Sequence, residues 1–161
     1  MPRAEEAMLR YLAGAALVLA VGCGGGGGDD DERDPSITFE LDGVPCTYAH
    51  TPVGGYVVDF GATVAAAYLN DLNEYPMIDM LVPGRTTGSF GDVDGALLLW
   101  NDDLDNSHTS MDVGGSFTVQ VTAYGPVGGR IEGTFDGVVS DGSHTHAITN
   151  GAFSVIRAPD M

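Results

Sequence analysis

The sequence predicts an all-β fold, a single antiparallel β-sandwich or barrel-like domain of about eight or nine strands over residues 36–161. Three observations support this prediction. Short runs rich in β-branched and aromatic residues begin at Ser36. Pairs of glycine with aspartate or with another glycine separate the runs. The runs follow one another at the close spacing that is typical of antiparallel sheets.

The first run, residues 36–41 (SITFEL), places Ile37, Phe39 and Leu41 on one face of a strand, and Asp42-Gly43 favours a tight hairpin turn. The later runs are CTYAH, YVVDF, TVAAAYL, PMIDMLV, ALLLW, SFTVQVTAY, RIEGTFDGVV and HAITNGAFSVI. The pairs expected to separate them are Gly54-Gly55, Asp94-Gly95, Gly114-Gly115, Gly128-Gly129 and Asp141-Gly142.

Residues 63–72 (TVAAAYLNDL) fit either a helix or a strand. Their apolar side chains lie on one stripe of a helix. Because both neighbouring runs are strands, we favour a strand to about Leu69, followed by a turn over residues 70–76.

A triplet of glycine, a small residue and phenylalanine occurs four times. The triplets are Gly88-Ser89-Phe90, Gly115-Ser116-Phe117, Gly133-Thr134-Phe135 and Gly151-Ala152-Phe153, the last three being 18 residues apart. A glycine permits close approach of a neighbouring chain, and the phenylalanine two residues later points to the same face. The triplets therefore predict core packing rather than a ligand-binding motif.

The first 22 residues have the parts of a secretory signal peptide. Arg10 precedes an apolar run over residues 11–21, and small residues end the segment. That run would span roughly 16 Å as a helix, too little for a hydrocarbon core of about 30 Å, so it is not expected to be a transmembrane anchor. Translation from Met8 instead of Met1 would give a shorter leader. A short N-terminal core helix is the competing interpretation, and the glycine tract that follows disfavours it.

The end of this segment, Ala20-Val21-Gly22-Cys23, resembles the lipobox of bacterial lipoproteins, although leucine is usual where Ala20 stands. The resemblance implies cleavage before Cys23 and a diacylglyceryl thioether on its sulfur, usually with a further acyl chain. Two chains suffice for stable anchoring. Gly24 follows the cysteine, which resembles the outer-membrane sorting pattern of Gram-negative lipoproteins. We therefore expect a cell-envelope protein held to a membrane through Cys23, on either face.

Residues 24–35 (GGGGGDDDERDP) predict a flexible spacer, because glycines bury nothing and adjacent carboxylates repel one another. The acidic run also resembles the surface-export signals of some lipoproteins. The expected organisation is a signal peptide over residues 1–22, a lipidated cysteine with its tether over 23–35 and a β domain over 36–161.

The formal net charge of −17 excludes some partners. Such a chain repels phosphate backbones, so no nucleic-acid partner is expected. A basic protein, a cation or a neutral glycan remains compatible with it. With Cys23 lipidated, Cys46 has no disulfide partner within the chain, and we expect it to be a small buried residue on a strand.

Several segments resemble an uncharacterised β-sandwich domain of small bacterial lipoproteins. They are residues 42–49 (DGVPCTYA), 76–90 (PMIDMLVPGRTTGSF), 115–125 (GSFTVQVTAYG), 130–139 (RIEGTFDGVV) and 148–157 (ITNGAFSVIR). The shared residues form hairpins and core positions. The resemblance implies a β-sandwich but no catalytic residue.

Acidic loops supply the oxygen ligands that calcium takes. The candidate calcium ligands are Asp92, Asp94, Asp102, Asp103 and Asp105. Neither group of aspartates has the EF-hand spacing, and solvated turns are the alternative interpretation.

His144 and His146 could share a strand face as a zinc or copper pair, but they lie in an expected hairpin turn, and exposed turn histidines are the favoured interpretation. The spacing ties neither His50 nor His108 to this pair. Trp100 could line a ligand groove, although a single tryptophan is more often a core residue.

No catalytic nucleophile, metalloprotease or phosphate-binding motif is present in the sequence, so no enzymatic activity is expected. We expect a tethered structural, adhesive or binding module. The alternatives are a calcium- or glycan-binding surface module and, less favoured, a hydrolase.

Overall fold

The structure, a computed structural model, describes residues 34–69, 76–102, 104 and 106–161. These residues form eleven strands and two single-turn 3₁₀ helices, Val58–Phe60 and Asp92–Asp94. The strands are β1 (Ser36–Leu41), β2 (Val44–Tyr48), β3 (His50–Val57), β4 (Ala62–Tyr68), β5 (Met77–Pro83), β6 (Gly88–Gly91), β7 (Leu97–Asn101), β8 (Ser107–Thr109), β9 (Ser116–Tyr124), β10 (Arg130–Ser140) and β11 (Thr145–Arg157). The all-β prediction is confirmed.

All eleven strands belong to one sheet, and seven of them close into a ring. Around the ring the order is β11, β3, β4, β5, β7, β8 and β10, and β10 pairs again with β11. The hairpin β1–β2 extends from the free edge of β11, and β9 and β6 extend from β10. This closure corresponds to the barrel-like form of the prediction.

One pairing in the sheet is parallel, whereas the sequence predicts an antiparallel sheet. β11 has 13 residues and runs past the end of β1. Its last residues, Ile156 and Arg157, lie beside Val53 and Gly54 of β3 in the parallel direction. The long final strand therefore closes the ring without a hairpin.

Two predicted details of the strands are corrected. Gly54-Gly55 is not a turn but the middle of β3. A Cβ on Gly54 would lie 2.8 Å from a methyl group of Val155, so glycine is required there by the close approach of β11. The short strands β6 and β8 were not predicted and bring the number of strands to eleven.

The ambiguous segment is a strand, as favoured. β4 covers Ala62–Tyr68 and pairs with β3 and β5 along its length. Residues 70–75, most of the expected turn, lie outside the described residues. Asp42 and Gly43 both have positive φ angles, 51° and 81°, which is the geometry of the predicted hairpin turn.

One hydrophobic core cluster joins strands of the ring with β1, β2 and β9. Ile78, Met80 and Leu98 are fully buried in it. Phe117, Phe135 and Phe153 are also buried, and Phe90 is half-buried against the same cluster. The predicted core role of the triplets is thus confirmed.

The expected signal peptide, Cys23 and the tether up to residue 33 lie outside the described residues. Residues 34–161 form one compact unit. Among the residues that the structure describes, no helix has the length and apolar character needed to cross a bilayer.

Candidate functional site

Three rings from three different strands meet at one end of the domain. β8 lies antiparallel to β7, which puts His108 directly opposite Trp100. β11 adds His146 near its first residue. The ring centroids of His108 and His146 are 5.0 Å apart at an interplanar angle of 84°, and both rings contact Trp100, at 5.0 and 5.3 Å. We call these three residues the imidazole cluster.

Trp100 fixes the inner side of this cluster. Its side chain is buried, and its indole Nε1 donates a hydrogen bond of 3.1 Å to the hydroxyl of Tyr48 on β2. A buried tryptophan whose ring N–H donates to another side chain is held in one orientation. Trp100 is therefore a core residue and does not line an open groove.

Asp42, in the turn between β1 and β2, forms a hydrogen bond with His146. Its Oδ2 lies 2.8 Å from Nδ1 of His146, and its Oδ1 accepts a hydrogen bond of 2.8 Å from the backbone N–H of Ala147. The side-chain bond to His146, together with the Ala147 amide, lowers the pKa of Asp42. An ionised carboxylate only accepts, so Nδ1 of His146 carries the proton and Nε2 is left with a lone pair in the neutral ring.

His108 is the most unusual member of the cluster. Its side chain is buried, with 4% of the residue exposed, and neither ring nitrogen has a hydrogen-bond partner among the described residues. Buried polar atoms are paired in nearly all proteins, so an unpaired imidazole needs an explanation. Asp102 lies near this ring, with its Oδ2 3.8 Å from Nε2 of His108.

Asp102 organises the turn between β7 and β8. Its Oδ1 accepts hydrogen bonds of 2.9 Å from the backbone N–H groups of Leu104 and Asn106, and its Oδ2 accepts one of 2.8 Å from the Asn106 amide. Burial raises the pKa of Asp102, but these hydrogen bonds outweigh it and the net shift is downward. The carboxylate beside His108 is thus held ionised.

The structure separates His144 from His146, the two histidines that the sequence offered as a possible metal pair. His144 lies in the turn before β11, largely exposed, with Nδ1 3.3 Å from Asp141. His146 points instead toward His108, and His50 lies on β3 opposite Tyr68. Sequence spacing missed His108 because the closing of the ring, and not a local motif, brings β8 next to β10 and β11.

The calcium candidates are distributed over two separate turns. Asp92 accepts a hydrogen bond of 3.0 Å from the backbone N–H of Phe117, and Asp94 accepts one of 2.9 Å from Gly91. Asp102 belongs to the other turn, and Asp103 and Asp105 lie outside the described residues. No three Cys, His, Asp or Glu side chains among the described residues form a ready-made metal-binding group.

An open cleft of about 390 Å³ lies on the outer face of β6, β9 and β10. Its lining combines polar side chains with Phe90, Val119 and Phe135, and it does not include Trp100. The lining residues are Ser89, Phe90, Gly91, Asp94, Thr118, Val119, Gln120, Thr134, Phe135 and Asp136. The Ser89 hydroxyl donates to the Gln120 amide oxygen, and Asp136 accepts a hydrogen bond of 3.0 Å from the Asn150 backbone.

Asp79 is a second buried polar group that sequence reasoning missed. It lies in the middle of β5 with 4% of its surface exposed, and its Oδ2 has no partner among the described residues. Burial raises its pKa to about 7. The run PMIDMLV gives no sign that this aspartate points inward, because its burial depends on which faces of β5 are covered.

The family models, the curated proteins and the solved structures that we compared with this chain contain no match.

Proposed function

We propose that this protein is a cell-envelope lipoprotein, anchored by lipid on Cys23, whose β domain serves as a binding or structural module. The observation that carries the proposal is the order of segments in the chain. An apolar leader ends in Ala20-Val21-Gly22-Cys23, a glycine- and aspartate-rich stretch follows, and β1 begins at Ser36. Each part is where a tethered lipoprotein needs it.

The tether gives the domain reach. Twelve residues separate Cys23 from Ser36, and a flexible chain of that length would have a mean end-to-end distance of roughly 20 Å. The charges of residues 29–34 extend that distance further at low salt. A domain on such a tether contacts partners near the membrane without lying on the lipid surface, from which its negative charge repels it.

The outer face of the sheet supports the proposed binding role. One row crosses six strands at equivalent positions and carries short, mostly hydroxyl side chains, namely Ser89, Gln120, Thr134, Ala152, Thr38 and Thr47. Such a row presents hydrogen-bonding groups at the regular spacing of strands, about 4.8 Å.

A cell-fractionation experiment tests the anchor. The wild-type protein is expected in the membrane fraction, while Cys23→Ala releases it into the soluble fraction or leaves an uncleaved precursor. Cys46→Ala is the matched control, since it removes the other cysteine and is expected to leave the protein on the membrane. Wild-type protein in the soluble fraction would contradict the proposal.

The second candidate is a glycan-binding module, and the cleft favours it. Carboxylate, hydroxyl and amide groups of Asp94, Asp136, Thr134 and Gln120 line it, and these are groups that bind sugar hydroxyls. A glycan array probed with the full chain tests this function. Binding that Gln120→Ala and Asp136→Ala abolish, and that Thr149→Ala on the neighbouring strand does not, would support it.

Calcium binding belongs to the same alternative function, a calcium- or glycan-binding surface module. If calcium supports ligand binding, millimolar calcium raises the midpoint of thermal unfolding, and Asp94→Asn removes that increase. An unchanged midpoint eliminates calcium from the proposal.

A further inference from the structure

We propose that His108 and His146 form a binding site for one divalent late transition-metal ion, zinc or copper, with Asp102 as a third ligand. This inference is independent of the lipid anchor and of the cleft. It rests on three observations. The buried imidazole of His108 has no hydrogen-bond partner among the described residues. Asp42 fixes the tautomer of His146, and the carboxylate of Asp102 lies 3.8 Å from His108.

The separation of the two rings fits a shared ion. Two imidazoles on one tetrahedral ion, with metal–nitrogen bonds of about 2.0–2.1 Å, hold their centroids roughly 5 Å apart. The centroids of His108 and His146 are 5.0 Å apart, and the rings are nearly perpendicular. Edge-to-face packing alone gives a similar distance between ring centroids. The distance is therefore compatible with a shared ion, and the hydrogen bonding of the ring nitrogens distinguishes a metal site from simple packing.

The nitrogen atoms favour a ligand over packing alone. Both nitrogens of His108 are buried without a hydrogen-bond partner among the described residues, a costly arrangement for a group that only fills space. A metal ion would satisfy one of them. Imidazole is also the side chain that zinc and copper prefer when oxygen and nitrogen ligands compete.

His146 has the surroundings of a metal-ligating histidine. Such residues usually donate their second ring N–H to a carboxylate, which orients the ring and makes the other nitrogen a better ligand. The 2.8 Å contact between Nδ1 of His146 and Asp42 is this arrangement, and it leaves Nε2 for the ion. The side chain of His146 is 29% exposed, so the site opens to solvent there.

Asp102 supplies negative charge and an oxygen ligand. Two ligand atoms on one tetrahedral ion, each about 2.0–2.2 Å from it, lie roughly 3.4 Å apart. Asp102 Oδ2 and His108 Nε2 are 3.8 Å apart, slightly more than this separation. Because the described residues contain no ready-made group of three ligands, binding requires small side-chain rotations, and water completes the coordination.

The test uses the full chain with Cys23→Ala and Cys46→Ser, so that neither thiol binds or reduces the ion. Zinc chloride is titrated calorimetrically into metal-free protein. We expect one ion per chain with a Kd below about 0.1 mM. His108→Phe and His146→Asn should each weaken binding about tenfold or more. His144→Asn, which changes the exposed histidine two residues from His146, should leave the Kd within about twofold.

His146→Asn keeps a donor in place of Nδ1 and removes only the proposed ligand nitrogen, so the contact with Asp42 survives. Circular dichroism checks that each variant is folded. Electron paramagnetic resonance of the copper complex should show two coordinated imidazole nitrogens in the parent and one in His146→Asn. No binding in the parent, an equal loss in His144→Asn, or a single imidazole in the parent spectrum would each overturn the site.

Discussion

Gly133 on β10 lies directly opposite Phe153 on β11, and two positions along the hairpin the relation is reversed, with Phe135 opposite Gly151. A Cβ on Gly133 would approach the Phe153 ring to 2.6 Å and collide with the backbone oxygen of Gln120. Each phenylalanine ring therefore occupies the space that a side chain on the opposite glycine would fill. The 18-residue offset of the two triplets places each glycine opposite the other triplet's phenylalanine.

Gly133→Ala should destabilise the domain by about 2–3 kcal/mol, because the added methyl group overpacks the space that Phe153 occupies. Urea denaturation at neutral pH measures the change. Gly91→Ala is the matched control, since its φ is −137° and its Cβ would lie 3.5 Å from the nearest atom, an ordinary contact. Equal effects of the two substitutions would refute the packing interpretation.

His108→Phe should stabilise the domain by about 1–2 kcal/mol in buffer that contains EDTA. The phenyl ring retains the contact with Trp100 and removes two buried nitrogens without partners. Thermal and urea denaturation of parent and variant provide the measurement. A loss of stability in metal-free buffer would mean that His108 has polar partners that offset the cost of its burial.

Asp79 should make stability fall as the pH rises. Its pKa is raised in the folded protein to about 7, from an ordinary value of 3.8. Between these values the folded protein holds a proton that the unfolded chain has lost, so the free energy of unfolding decreases from about pH 4 to pH 7. The contribution amounts to about 4 kcal/mol at most.

Urea denaturation at a series of pH values from 5 to 8 measures this decrease. Asp79→Asn should reduce the slope and be more stable than the wild type at pH 8. Asp59→Asn, on an exposed 3₁₀ helix, should retain the wild-type slope. A wild-type slope in Asp79→Asn would contradict the assignment.

Asp42 should have the opposite pH dependence. Its pKa is lowered, chiefly by His146, so its contribution is present above pH 3.8 and is lost as the pH falls through the lowered value. Because Asp42 is about half exposed, we expect Asp42→Asn to cost only about 0.5–1 kcal/mol at pH 6. The difference between wild type and variant should shrink as the pH falls below 3.8, and a difference that stays constant there would argue against the contact between Asp42 and His146.

The sequence predicted the features that depend on local chemistry. Apolar runs located eight of the nine longer strands, the positive-φ pair Asp42-Gly43 made the expected hairpin turn, and the triplets marked core phenylalanines. The run YVVDF was misplaced, because β3 covers His50–Val57 and Val58–Phe60 is a 3₁₀ helix. Strands β6 and β8, of four and three residues, are too short for a periodic pattern to reveal. The parallel contact of β3 with β11 depends on the length and path of the final strand, which no local pattern encodes.

The candidate site was less predictable than the fold. From the sequence, His146 was considered only together with His144, because spacing along the chain does not reveal neighbours across the sheet. His108 reaches it only because Ser140 of β10 pairs with Thr109 of β8 and also with Thr145 of β11. Burial of Asp79 and His108 likewise depends on the closed ring, and a single sequence gives no signal for it.

The chemical state of Cys23 decides whether this is a lipoprotein. Mass spectrometry of the protein purified from membranes, after growth with labelled palmitate, measures it. We predict a chain that begins at Cys23, carries at least two labelled acyl chains, and is unlabelled in Cys23→Ala. An unlabelled wild-type chain that begins at Met1 or Met8 would contradict the lipid anchor, and with it the proposed function.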